Sequence, residues 1–419
     1  MTGAGQEAVD RGFLSGFIPV GVLPLLDAPP PEAAWDSVEV DGRSYPRLSM
    51  ECWTARQRQA ANLHEISYRA CYKPQLPRHF IERLTGPGDR VYDPFSGRGT
   101  TALEAALLGR RVAANDVNPL SRMLAEPRLR PPEPTAVAAR LREIPKVGAG
   151  DALDLGMFFH TDTEAEIRGL REWFTGRDAA GELDDLDTWI RMVATNRLTG
   201  HSPGFFSVYT LPPNQAITSE KQRLINAQRE QVPTYRDTHA LILKKTKQLL
   251  TGLDAPQRKH LGFAAQDARF LTGDARATTT LMDGCMALTV TSPPFLDVVD
   301  YAGDNWLRCW FTGLDALAIG QAISTPRTLE AWSETMAAVF AELHRLTRRG
   351  GHVAFEVGEI RRGRLRLDEV VLPLGLQAGF KAHGVLVNSQ AFTKTAHIWG
   401  VGNNDKGTNS NRVVLFERV

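Results

Sequence analysis

Between Arg90 and Asp116 the chain reads as strand, glycine turn, helix, strand, and no other segment constrains the fold as strongly. Arg90–Asp93 (RVYD) is a short buried strand and Ser96–Gly99 (SGRG) a tight turn. Thr100–Leu108 (TTALEAALL) reads as a helix and Arg111–Asp116 (RVAAND) as a second strand, which completes a βαβ unit. Strand-like segments return at Arg269–Thr272, Met286–Thr291 and His352–Val357. Helices are expected at Glu330–Thr347 and Leu367–Ala378, and a final strand pair at Lys381–Val387 and Asn411–Glu417. An α/β domain is therefore interrupted and then resumed.

The interruption is helical and polar. Thr163–Phe174, Asp184–Leu198 and Ser219–Arg229 are amphipathic and are separated by turns such as HSPG and LPPN. The expected organisation is an N-terminal arm at 1–46, carrying the proline run Ala28–Pro31, then the first part of the α/β domain at 47–120. An α-rich insertion follows at 121–265 and the second part of the α/β domain at 266–419. The 419 residues carry 49 Lys+Arg against 48 Asp+Glu, so a nucleic-acid partner would have to be met by a local basic face. Cys52, Cys71, Cys285 and Cys309 are scattered without metal-ligand spacing. They read as reduced thiols, and no metal site is expected. The apolar stretch Gly12–Leu26 is too short to span a bilayer and is broken by Pro19 and Pro24, so a cytoplasmic protein is expected.

Two segments carry chemistry. In Asp93-Pro94-Phe95-Ser96-Gly97-Arg98-Gly99-Thr100-Thr101, the glycines let backbone pass beneath a ligand, and the helix that follows offers free N–H groups. Asp116 ends the second strand, where a carboxylate can hold the hydroxyls of a ribose. Neither a third glycine at dinucleotide spacing nor a G-K-[ST] is present, which favours a nucleoside-bearing cofactor without pyrophosphate. In Thr291-Ser292-Pro293-Pro294-Phe295, consecutive prolines lock an extended backbone whose carbonyls are acceptors suited to a planar amino group. Phe295 offers a face for a flipped base. A rigid turn with a core phenylalanine is the plainer reading of that run taken alone.

Together these motifs resemble those of the amino-group DNA methyltransferases. Asp93–Thr101 is similar to the family's D-P-F-x-G-x-G-T-T cofactor motif, and Thr291–Phe295 to its T-S-P-P-[YF] catalytic motif in the serine-first, cytosine-N4 form. Tyr72–Pro77, with Lys73 and Pro74, resembles the K-P-bearing cofactor motif. Gly273-Asp274 resembles the pair near the cofactor's adenine, and Asn403–Arg412 the N-x-K-G-T-N-x-x-R tail. Arg98 stands where serine is commoner, and Phe295 where tyrosine is.

The resemblance implies a Rossmann-like, seven-stranded class I methyltransferase domain with S-adenosyl-L-methionine as cofactor. It also implies a target-recognition module in the insertion. Its expected chemistry is methyl transfer to the exocyclic N4 amine of a flipped cytosine in double-stranded DNA, with a restriction or defence-system partner. Adenine-N6 methylation, an RNA amino methyltransferase and a non-catalytic DNA-binding relative are the alternatives. The expected cofactor-binding residues are Lys73, Pro74, Asp93, Pro94, Phe95, Gly97, Gly99, Thr100, Asp116 and Asp274. Ser292, Pro293, Pro294 and Phe295 are expected to hold the base, with Ser292 Oγ and the Pro293 carbonyl accepting the amino hydrogens. Lys221, Arg223, Arg229, Lys244 and Lys245 in the insertion, with Arg361 and Arg362 in a loop after the strand His352–Val357, are the expected DNA contacts. Trp306, Trp310 and Phe311 read as core.

Overall fold

The computed structural model describes residues 11–18, 33–52, 60–68, 71–148, 153–211, 216–294, 301–323, 326, 328–360, 365–389 and 410–419. Phe295, Arg361, Arg362, the Ala28–Pro31 run and residues 403–409 of the tail motif lie outside the described residues. Nine strands form the central sheet: β1 (Ala34–Val40), β2 (Arg43–Met50), β3 (Arg90–Asp93), β4 (Arg111–Asp116), β5 (Arg269–Thr272), β6 (Met286–Thr291), β7 (Thr347–Val357), β10 (Lys381–Ser389) and β11 (Ser410–Glu417). A separate two-stranded ribbon pairs β8 (Glu359–Ile360) with β9 (Leu365–Arg366).

The strand order is β1-β2-β10-β11-β7-β6-β3-β4-β5. β5, β4, β3, β6 and β7 run parallel, and β11 is inserted antiparallel between β7 and β10. Seven of the strands are the Rossmann-like set, with β6 at its centre and the βαβ unit at 90–116 beside it on the β5 side. From β3 the chain moves outward through β4 to β5, and from β6 it moves the other way to β7. The gap beyond the C-terminal ends of β3 and β6 is therefore the topological switch point, where open α/β sheets bind ligands.

The two further strands correct the expected N-terminal arm. Its residues from Ala34 onward are β1 and the first half of β2, and β2 pairs parallel with β10 through Arg47↔Val385 to Met50↔Asn388. The physical tie is an ion network that periodicity does not reveal. Arg47 makes two bonds to Asp36 at 2.7 and 2.8 Å and reaches the fully buried Asp368 at 3.3 Å, while Arg412 approaches Asp368 from β11. The expected boundary at 46 falls inside a strand.

Between β4 and β5 the described residues are helical, apart from a single bridge joining Gly200 and Tyr209. The long helices Thr161–Ala179, Asp185–Thr195 and Thr238–Leu250 pack around buried Trp189, whose indole N–H donates to Thr246 Oγ1 at 3.1 Å. Asp184 caps the second of these through a capping box with Asp187. The last helix, Ala255–Gln266, packs on the helix Thr100–Leu107 and on β4, so it is the crossover of the sheet domain rather than part of a separate module. Helix Tyr301–Thr312, which follows the S-P-P-F run, packs on the same insertion helices, with Phe311 fully buried and Trp306 and Trp310 partly so. No helix among the described residues is long and apolar enough to cross a membrane.

Candidate active site

Pairing of Val91 with Leu288 and Tyr92 with Thr289 brings the ends of β3 and β6 together, and with them the two chemical motifs. Asp93 is fully buried at this junction. Its carboxylate accepts from the Tyr72 hydroxyl at 2.8 Å, Thr291 Oγ1 at 2.6 Å and the Phe95 amide at 3.1 Å. Tyr72 is also hydrogen-bonded to Thr101, whose hydroxyl donates to the Val290 carbonyl at 3.0 Å. Burial pushes the Asp93 carboxyl up from its ordinary range, while the hydrogen bonds oppose that. Asp93, expected among the cofactor-binding residues, thus ties three motifs together beneath the cleft and is not among its lining residues.

Above it lies a cleft open to solvent, lined by Tyr68, Pro94, Phe95, Gly97, Asp116, Asn118, Gly273, Asp274, Arg276, Ser292, Pro293, Pro294, Trp332 and Met336 among others. Both motifs thus share one cavity. Gly97 lines it with φ +51°, and its amide donates to Asp116 Oδ2 at 2.8 Å. Asp116 Oδ1 accepts from the Asn118 amide at 2.9 Å, and burial raises its pKa to about 6. Asp274 is held by the Arg276 side chain, which lowers its pKa.

The glycines divide in function. A side chain at Gly99 would put its Cβ 2.5 Å from that of Ala125, and φ is +76°, so this glycine serves helix packing and does not line the cleft. Thr100 is buried, Lys73 is exposed, and Pro74 is the N-cap of the helix Gln75–Leu84; none of the three lines the cleft. Buried Asn115 links the loops, donating to the Pro94 carbonyl at 3.2 Å and the Gly273 carbonyl at 3.0 Å.

On the other side, the Ser292 side chain hydrogen-bonds Glu356, a buried carboxylate near the end of β7. Asn411 on β11 donates to Glu356 Oε1 at 2.9 Å. Burial raises the Glu356 pKa, and these two partners counter it. The Pro294 carbonyl accepts from the buried Trp332 indole N–H at 3.1 Å. Glu356, Trp332 and Tyr68 were not expected from sequence. They come from separate elements with no motif around them, and only an acidic residue inside an otherwise apolar strand (HVAFEV) hinted at Glu356.

The basic residues of the insertion fare differently. Lys221, Arg229 and Lys244 are exposed, and Arg229 lies 3.9 Å over the Tyr209 ring. Arg223 is half-exposed and paired with Asp154 at 2.7 Å. Lys245 is buried and bonded to Glu65 and Gln248 at 3.2 Å, which withdraws it from the expected phosphate contacts. It faces inward because its helix turns Ile242, Thr246 and Leu249 to the core.

Residues 31–123 match a family described as DNA methylase. Two Type II methyltransferases are each 34% identical to short segments. M.MvaI of Kocuria varians matches over 80 residues, 18% of this chain and 18% of its own length. M.MjaII of Methanocaldococcus jannaschii matches over 62 residues, 15% and 12%. The chain thus spans less than a fifth of these relatives in the matched segments. Among solved structures, a putative DNA modification methylase from Thermus thermophilus is 20% identical, covering 35% of this chain and 50% of that one, with a TM-score of 0.22.

Proposed function

We propose, for a chain whose segment 31–123 matches the DNA methylase family, that it methylates the exocyclic N4 amine of a flipped cytosine in double-stranded DNA, using S-adenosylmethionine. The observation that carries this reading is the placement of Ser292, hydrogen-bonded to the buried Glu356, on the wall of the cleft that Gly97, Asp116 and Asp274 also line.

The cleft suits the cofactor in its chemistry. The Asp116 and Asp274 carboxylates are acceptors for ribose and adenine groups, and Gly97 brings bare backbone to the surface between them. When bound there, S-adenosylmethionine supplies a methyl group already activated by a sulfonium.

The chain's own residues prepare the amine. An exocyclic amine conjugated to a pyrimidine is a poor nucleophile until its hydrogens are held out of the ring's conjugation. With its O–H donated in a hydrogen bond to Glu356, Ser292 keeps oxygen lone pairs as the candidate acceptor for one amino hydrogen. The Pro293 carbonyl is the candidate for the other. Trp332 occupies the Pro294 carbonyl and fixes the run's direction. Phe295 is the candidate base-stacking face. Lys221, Arg229 and Lys244, exposed on the insertion, are candidates for phosphate contacts.

The test is incubation of the purified protein with isotopically labelled S-adenosylmethionine and duplex DNA, nucleoside digestion and mass spectrometry. Labelled N4-methylcytosine is expected. Labelled N6-methyladenine would overturn the base assignment, label in RNA alone would overturn the substrate, and cofactor binding without any transfer would favour the non-catalytic relative.

A further inference from the structure

Toward the opposite end of the sheet from Ser292, three side chains on adjacent strands converge: His352 on β7, His383 on β10 and Glu417 on β11. A ring nitrogen from each histidine and a carboxylate oxygen lie within 4.8 Å of one another. His352 and Glu417 are cross-strand partners, so their side chains leave the same face of the sheet. His383 reaches them through an irregularity. The β10–β11 register shifts between Ala382 and Gly384, and His383 is the extra residue of that bulge.

Gly384 makes the bulge possible. Its φ is +123°, and a Cβ there would lie 2.2 Å from the Pro46 carbonyl oxygen. Phe13 stacks on the His383 ring at 3.7 Å and 12°, and on His352 at 5.5 Å and 19°. Stacking engages the faces of the two rings and not their edges, where the nitrogens lie.

We propose that His352, His383 and Glu417 form a binding site for a divalent transition ion of the zinc class, which clamps β7, β11 and β10 together beneath the helix Gly12–Ser15. Two imidazoles and one carboxylate are a donor set for such an ion, with the remaining position left to water. Bonds of about 2.0–2.1 Å in tetrahedral geometry place neighbouring ligand atoms about 3.4 Å apart, within reach of side-chain adjustment from the observed cluster. His383 Nε2 and Glu417 Oε2 are already 2.9 Å apart.

A simple His–Glu hydrogen bond accounts for only two members. His352 Nδ1 is buried without a hydrogen-bond partner, an unsatisfied polar atom within the ligand set that the hydrogen bond does not explain. The three residues share β7 and β11 with Glu356 and Asn411 but lie outside the lining of the S-P-P-F cleft, and the proposal does not depend on the methyltransferase reading.

The test uses the full chain without a polyhistidine tag, stripped with a chelator and titrated with Zn2+ by calorimetry and with Co2+ by visible absorption. One equivalent is expected to bind, with d–d bands of a nitrogen/oxygen site, and Zn2+ is expected to raise Tm. His352→Ala and the size-preserving Glu417→Gln should each weaken Zn2+ binding at least about 10-fold, and binding should fade as the histidines protonate at acid pH. Absence of saturable uptake by the unaltered protein would overturn the proposal, as would uptake unchanged by both substitutions. Because the first of these outcomes needs no variant, a misfolded mutant does not obscure the result.

Discussion

In the proposed reaction Ser292 acts through the hydrogen bond that its hydroxyl donates to Glu356. As a donor to Glu356 it presents lone pairs to the cleft, and without Glu356 the same hydroxyl is free to turn. Ser292→Ala is therefore expected to lower methyl transfer about 100-fold, the scale of losing one preorganised polar contact to a reacting group. Cofactor affinity, read by calorimetry, should stay within about 2-fold. Loss of cofactor binding of the same size would contradict the division of the cleft into two halves. Asp116 supplies the pH dependence. Its carboxyl is held up at about 6 in the folded chain, so the charged acceptor is lost as pH falls through that value. Cofactor affinity should then fall by up to about tenfold per pH unit below 6 and be flat above it. Asp116→Asn should remove the pH dependence and bind more weakly at pH 8.

At the scale of elements, the cleft depends on buried carboxylates that hold loops to helices. Glu342, on the helix Leu329–Leu346, accepts from the Thr278 amide at 2.8 Å and its hydroxyl at 2.6 Å, and pairs with Arg345 at 2.7 Å. These contacts lower its pKa to about 2, against the opposing effect of burial. A depressed pKa of this kind stabilises the fold above the ordinary carboxyl range, and the stabilisation is lost as pH falls toward 2. Glu342→Gln is expected to cost about 2 kcal/mol in denaturant unfolding at pH 7 and much less at pH 3. It should also weaken cofactor binding, because the loop that Thr278 anchors carries Asp274.

The helix Ser219–Gln228 and the turn after it should behave as a phosphate-facing element. Lys221→Ala with Arg229→Ala should lower the salt slope of DNA binding by about 2. Lys245→Ala should leave that slope alone and lower stability, since Lys245 is buried against Glu65.

Across the whole molecule, the sheet joins segments far apart in sequence. The polar network of Arg47, Asp36, Asp368 and Arg412 joins the first hairpin to the last strand. Arg47→Met leaves Asp368 with a weaker set of partners and is expected to destabilise the chain by about 3 kcal/mol, read as a lowered midpoint in urea. Much of this architecture was legible beforehand. β3, β4, β5 and β6 match the expected spans, because short apolar runs bounded by Asp, Gly and Pro leave little choice of element. Both motifs end at parallel strand termini, so their meeting follows from the order of the strands.

Four features were not legible: the docking of β1 and β2, the inward turn of Lys245, the contact of Glu356 with Ser292, and the convergence of His352, His383 and Glu417. Each is a contact between residues distant in sequence. Local pattern determines the type of an element and the face it buries. Register, the bulge at His383 and the neighbour across a strand decide which polar groups meet.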